Sequence, residues 1–156
     1  CLIYLLMNIA PRIGEVSRIR VKDIDLDNNK IWIRGKGHND NISRYSNFND
    51  KTKSVLIDLI VEYGATREYL FVNYKGEQLS EQSLRKMWYE VCESIGIEGI
   101  TPHQCRHYIG SSLIERGVEV KKVSMVLGHS SIKTTETFYI KQKGDMNDIL
   151  NEVDIF

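Results

Sequence analysis

Several side chains in this sequence have the chemistry to handle a phosphate ester. His103 and Arg106 lie three residues apart, just behind Thr101 and Pro102. A capping hydroxyl followed by a proline predicts a helix start, so His103 and Arg106 share one face of its opening turn and can converge on one anion. The N-terminus of a helix favours a phosphate there. Arg12 follows Pro11 at the start of another short helical segment, and Glu15 is placed to hold its guanidinium. Two arginines at one site can grip both non-bridging oxygens of a phosphodiester, because a guanidinium is planar, bidentate and permanently charged. Lys36 stands between Gly35 and Gly37, which let a lysine project from a tight turn. His129 follows Gly128 in LGHSSIKTTETFY, and Tyr139 comes ten residues after it. Each has a plainer reading alone: a solvated polar face for His103 and Arg106, a surface or helix-pairing cation for Arg12, a hairpin tip for Lys36, a cap for His129. Tyr139 is one of eight tyrosines.

The elements that would carry these residues are mostly helical. The opening CLIYLLMNIA reads as a buried helix, and Ile13, Val16 and Ile19 continue at helical spacing. VKDIDLDNNK reads as a polar turn region. KIWIR at 30–34 and a weaker candidate around NISRYS predict a hairpin with Lys36 at its turn. Residues 50–63 form a helix stopped by Gly64, and YLFV at 69–72 is a further short strand candidate. Ser80 caps a helix whose inner face is Leu84, Met87, Trp88, Val91 and Ile95, with Gly96 as its stop. The helix from Thr101 runs to about Arg116, and another near 119–127 ends at Gly128. Met146, Ile149, Leu150 and Val153 form an amphipathic stripe on a tail helix over 144–156. The fold class is therefore α+β, mostly α with a small antiparallel β-sheet, and residues 1–156 read as a single domain.

A chain of 156 residues buries a real core without disulfide or metal. Its three cysteines form no CxxC pair and predict a reducing, cytoplasmic setting. No apolar run reaches the length of a membrane span, and the first segment lacks the flanks of a signal peptide. The chain opens on Cys1, inside the first predicted helix, and is expected to be a fragment. With 21 basic and 21 acidic residues the net charge is zero, so any case for nucleic acid rests on where individual cations sit.

Taken together and in order, the arginine in PRIGE, the lysine in RGKG, PHQCRH, LGHSS and a late tyrosine resemble the tyrosine recombinase or phage integrase family, from about Ile9 to Tyr139. The family's first arginine lies in a G-x-R-x-x-E setting, met here by Arg12 and Glu15 with Ala10 in place of the glycine. The resemblance implies that family's catalytic-domain fold and site-specific cleavage and rejoining of double-stranded DNA through a 3′-phosphotyrosine. It implies Arg12, Lys36, His103, Arg106, His129 and Tyr139 as catalytic residues, with no metal or nucleotide cofactor. Lys36 is then the acid for the departing 5′-oxygen and His103 the base for tyrosine. It further implies a homotetramer on DNA for the full-length protein, no membrane partner, and an N-terminal DNA-binding domain that this fragment lacks. Two other readings stand beside it: an inactive DNA-binding or regulatory module of the same fold, and a type IB topoisomerase-like relaxing enzyme.

The nucleophile is where the sequence departs. Many relatives place tyrosine nine residues after the histidine, where this chain has Phe138; others use ten, which is Tyr139. One residue along a helix turns a side chain by about 100°, so the two positions do not serve one rigid site equally. If Tyr139 attacks, Tyr139→Phe abolishes the covalent adduct on a nicked suicide DNA and mass spectrometry maps the parent adduct to Tyr139. If Phe138 stands in for the nucleophile, the parent forms no adduct and Phe138→Tyr creates one.

Overall fold

The computed structural model describes residues 1–35 and 43–128. They form six α-helices, α1 (Leu2–Ile9), α2 (Ile13–Ser17), α3 (Asp50–Tyr63), α4 (Glu81–Ser94), α5 (Pro102–Glu115) and α6 (Val120–Leu127). Between α2 and α3 lie three short strands, β1 (Ile24–Asp25), β2 (Lys30–Ile33) and β3 (Arg44–Asn47), so the expected α+β class holds.

α1 is apolar almost all round and has no face for water. Leu5, Leu6 and Ile9 are fully buried where it packs on α3, α4 and α5. Its last residue is followed by Ala10 in the left-handed conformation (φ 51°, ψ 45°), which turns the chain sharply into Pro11 and Arg12. α3, α4 and α5 begin where their caps predict. Asn49, Ser80 and Thr101 accept from the backbone N–H of Thr52, Ser83 and Gln104, and Gln104 returns a bond to the Thr101 N–H at 2.8 Å. The indole N–H of Trp88 donates to the Ile100 carbonyl at 2.7 Å, tying α4 to the start of α5.

The sheet is antiparallel in the order β1-β2-β3, with Ile31 opposite Ser46 and Ile33 opposite Arg44. Two expectations from the sequence change here. The polar stretch after Arg20 is more than a turn: Val21–Asp23 make a 3-10 turn, and Ile24 and Asp25 pair with Ile31 and Lys30. Apolar Ile24 has a buried partner in Ile31, and that pairing outweighs the turn-forming residues around it. YLFV gives two single bridges, Tyr69 with Arg20 and Val72 with Gln78, in place of a strand. Leu70 and Phe71 are nevertheless buried, so the apolar run marks core rather than ladder. The hairpin turn bearing Lys36 and the stripe Met146, Ile149, Leu150 and Val153 lie outside the described residues.

Because Thr101 and Gln104 satisfy two otherwise unpaired N–H groups, Thr101→Ala is expected to lower the unfolding free energy by about 1 kcal/mol in a denaturant titration. A Thr101→Ser variant, which keeps the hydroxyl, is expected to stay near the parent.

Candidate active site

α5 sets Arg106 into the interior. Its side chain is 1% exposed, and its two terminal nitrogens donate to the carbonyls of Ala10 and Leu127. These are the C-terminal ends of α1 and α6, where unpaired carbonyls carry partial negative charge. Burial, then the charges of Arg12 and Arg44, push the Arg106 pKa down to about 9, with Glu15 acting in the opposite direction. The guanidinium therefore remains charged at neutral pH.

Glu15 is the counter-charge. It is 2% exposed and accepts from the Arg12 backbone N–H at 2.8 Å, from Arg12 Nη1 at 3.1 Å, and from Arg44 Nη1 and Nη2 at 3.3 Å each. Burial alone would raise its pKa. The charge and hydrogen bonds of Arg44, with the Arg12 N–H, outweigh that and hold it below the ordinary carboxylate value.

Three consecutive carbonyls at the end of α6 each receive an arginine from a different part of the chain. Val126 accepts from Arg44 Nε at 3.0 Å, Leu127 from Arg106, and Gly128 from Arg12 Nη1 at 3.3 Å. α6 has no basic residue in its own last turn, so its C-terminus is capped from outside. Gly128 is required twice over. Its φ is +64°, and a Cβ there would lie 2.5 Å from Arg44 Nη1. Ala10 has a related constraint: its left-handed turn (φ 51°) costs an alanine about 1–2 kcal/mol that a glycine would not incur.

Arg12, His103 and Arg106 line one open cleft of about 360 Å³, floored by Gly128 and the first turn of α5. Arg18, Arg85 and Glu81 line it as well. Sequence reasoning missed these three and Arg44. His103 is exposed in the cleft, with its Nε2 2.7 Å from Nε2 of the buried His107 behind it. Burial, then Arg106, Arg12 and Arg85, lower the His103 pKa below its ordinary value. The structure thus brings together Arg12, His103 and Arg106, whereas Lys36, His129, Tyr139 and Phe138 lie outside the described residues.

A family model described as the phage integrase family matches residues 1–145. The chain belongs to that family. Among curated relatives of this phage integrase domain, a tyrosine recombinase of Agathobacter rectalis is 30% identical over 158 residues, covering 96% of this chain and 49% of its own length. Tyrosine recombinase XerC of Corynebacterium glutamicum is 26% identical over 134 residues, covering 86% of this chain and 44% of its own. The chain therefore spans about half the length of these relatives. Among solved structures, XerA recombinase superposes with a TM-score of 0.77 at 24% identity, over 97% of this chain and 53% of that one. The XerH site-specific recombinase, in a pre-cleavage complex with its difH substrate, gives 0.74 at 25% identity over 88% of this chain and 41% of that one.

The buried histidine makes stability depend on pH. Burial, then His103 and Arg106, push the His107 pKa from its ordinary 6.5 down to about 4. Between those values the unfolded chain binds a proton that the folded chain refuses. Stability is thus complete above pH 6.5 and falls as the pH drops toward 4, with His103 acting in the same direction. Denaturant titrations across this range should show that slope, and His107→Asn should flatten it.

Proposed function

We propose that this chain is the catalytic domain of a tyrosine site-specific recombinase, cleaving and rejoining double-stranded DNA through a 3′-phosphotyrosyl intermediate. The observation that carries the reading is the convergence of Arg12, His103 and Arg106, from distant parts of the chain, on one cleft at the N-terminus of α5. The tyrosine recombinase relatives and the DNA-bound structural neighbour support it.

In this scheme the scissile phosphate sits in the cleft. Arg106 has two of its five N–H donors on the carbonyls of Ala10 and Leu127 and presents the others to the non-bridging oxygens, together with Arg12 and His129. The Tyr139 hydroxyl gives its proton to His103 as its oxygen bonds to phosphorus. The bond to the 5′-oxygen breaks, and Lys36 protonates that oxygen. A phosphodiester becomes a phosphotyrosine ester of similar energy, so the reverse attack by a 5′-hydroxyl reseals a strand without an external energy source. The scheme draws on no metal or nucleotide, and exchange between duplexes belongs to a homotetramer of the full-length protein. Phe138 at the nine-residue spacing favours one alternative, an inactive module of the same fold. No described helix is long and apolar enough to cross a membrane.

Arg12 is the clean probe, because its side chain is 43% exposed and Glu15 keeps Arg44 as a partner without it. Arg106→Ala would also strip two buried carbonyls of their donor and weaken the fold. Arg12→Ala is expected to slow adduct formation on suicide DNA by about 10²–10³-fold, the effect of removing one preorganised donor, with the melting temperature close to the parent. An adduct formed at the parent rate would remove Arg12 from the phosphate clamp.

A further inference from the structure

Two arginines of the cleft have no part in the clamp described above. Arg18 follows α2 and Arg85 lies in the second turn of α4, and both line the same cleft as Arg12, His103 and Arg106. Their charges are poorly matched. Arg12, Arg44 and Arg106 are met by Glu15 or by helix-end carbonyls, whereas the Arg18 side chain reaches one carboxylate, Glu81, at 4.0 Å. Its Nε is shut away from water with no hydrogen-bond partner among the described residues. Arg85 is exposed and makes no ion pair among the described residues, and its charge lowers the His103 pKa, which sets it toward the cleft. Two cations and one carboxylate leave this end of the cleft with an excess of positive charge.

Glu81 occupies the place of an anion there. It opens α4, where the partial positive charge of the helix end favours a carboxylate. It faces α2 at Gly14, and a Cβ on that glycine would overlap its carboxyl group. The missing side chain is what lets the carboxylate reach into the cleft beside Arg18. Its hold is loose, since the Glu81 side chain is 50% exposed and its contact with Arg18 is at the limit of an ion pair. A backbone phosphate offers more than this carboxylate does: its two non-bridging oxygens point in different directions and can accept from both guanidinium groups.

We infer that Arg18 and Arg85 form a second phosphate subsite of the cleft, taking a backbone phosphate near the scissile one, and that the Glu81 carboxylate fills it in the free domain and yields it to DNA. The inference rests on the recombinase reading above for its ligand.

The test is equilibrium binding of a fluorescent DNA duplex by the full chain over a salt series, since contacts to phosphate need no particular base sequence. Glu81→Gln keeps the size of the side chain and removes its charge, and is expected to tighten binding about 2–5-fold, the scale of an exposed ion pair. Arg85→Ala is expected to weaken binding about tenfold, the scale of a hydrogen bond to a charged group. Removing both arginines should reduce the slope of log affinity against log salt by about 0.9, the share of one phosphate and not two. In that double variant Glu81→Gln should no longer tighten binding, because the carboxylate has nothing left to compete for. A gain of equal size with and without the arginines makes Glu81 a general charge effect and overturns the inference. Parent-like binding by Arg85→Ala overturns it too, and this exposed residue decides the matter if Arg18→Ala unfolds the domain. The assay needs no nucleophile, so it fails separately from the reading beneath it. Unchanged binding by the variants alongside a covalent adduct on suicide DNA overturns the subsite alone, whereas the expected binding changes without any adduct from the parent overturn the recombinase reading alone. No binding by the parent at low salt overturns both.

Discussion

A guanidinium shut away from water is the constraint around which this domain is organised. Removing a charge from solvent is affordable only if its donors are met and an opposite charge lies close by. Arg106 obtains both by lying between the ends of two helices, with the carbonyls of Ala10 and Leu127 as acceptors and Glu15 as the nearby anion. The left-handed turn at Ala10 and the left-handed cap at Gly128 bring those carbonyls within reach, so two unusual backbone positions trace back to one side chain. α1, α5 and α6 cannot shift relative to one another without leaving that charge unpaired.

The same arrangement accounts for how a cluster of cations can be held in fixed positions around an open cleft. Donors aimed in advance at developing charge reorganise little during reaction, which is why preorganisation contributes so much to catalysis. Here the orientation comes from carbonyls and one buried carboxylate. Glu15 neutralises part of the local positive charge and holds Arg12 and Arg44 in fixed directions. The end of α6 gathers Arg44, Arg106 and Arg12 on successive carbonyls, and the chain leaves that point into the segment containing His129 and Tyr139.

Local charge also resolves the neutral composition. Equal numbers of acidic and basic residues say nothing of where they lie. Arg12, Arg18, Arg85 and Arg106 all line the cleft, against the carboxylates of Glu15 and Glu81. Glu15 is already engaged by arginine on both oxygens, and Glu81 lies at 4.0 Å from Arg18. An electropositive site in a neutral chain is therefore a matter of clustering, not of net charge.

Much of this was legible along the chain, because caps, stops and apolar periodicity act between neighbours. Thr101, Pro102 and Gln104 specify the start of α5 and with it the shared face of His103 and Arg106; Gly128 marks the end of α6; Arg12 and Glu15 announce their own pairing. Arg44 was not legible. Its role depends on strand register, which places it opposite Ile33, and on partners 29 and 82 residues away at Glu15 and Val126. Nor could the sequence tell that Arg106 is the buried arginine and Arg12 the open one, since that follows from carbonyls 96 and 21 residues distant closing over Arg106. Residue type and local spacing determined which chemistry was available and which helices would carry it. Only the tertiary structure decided which cations meet, which anion holds them and which of them face the cleft, because burial and counter-charge are set by contacts between segments that local pattern cannot relate.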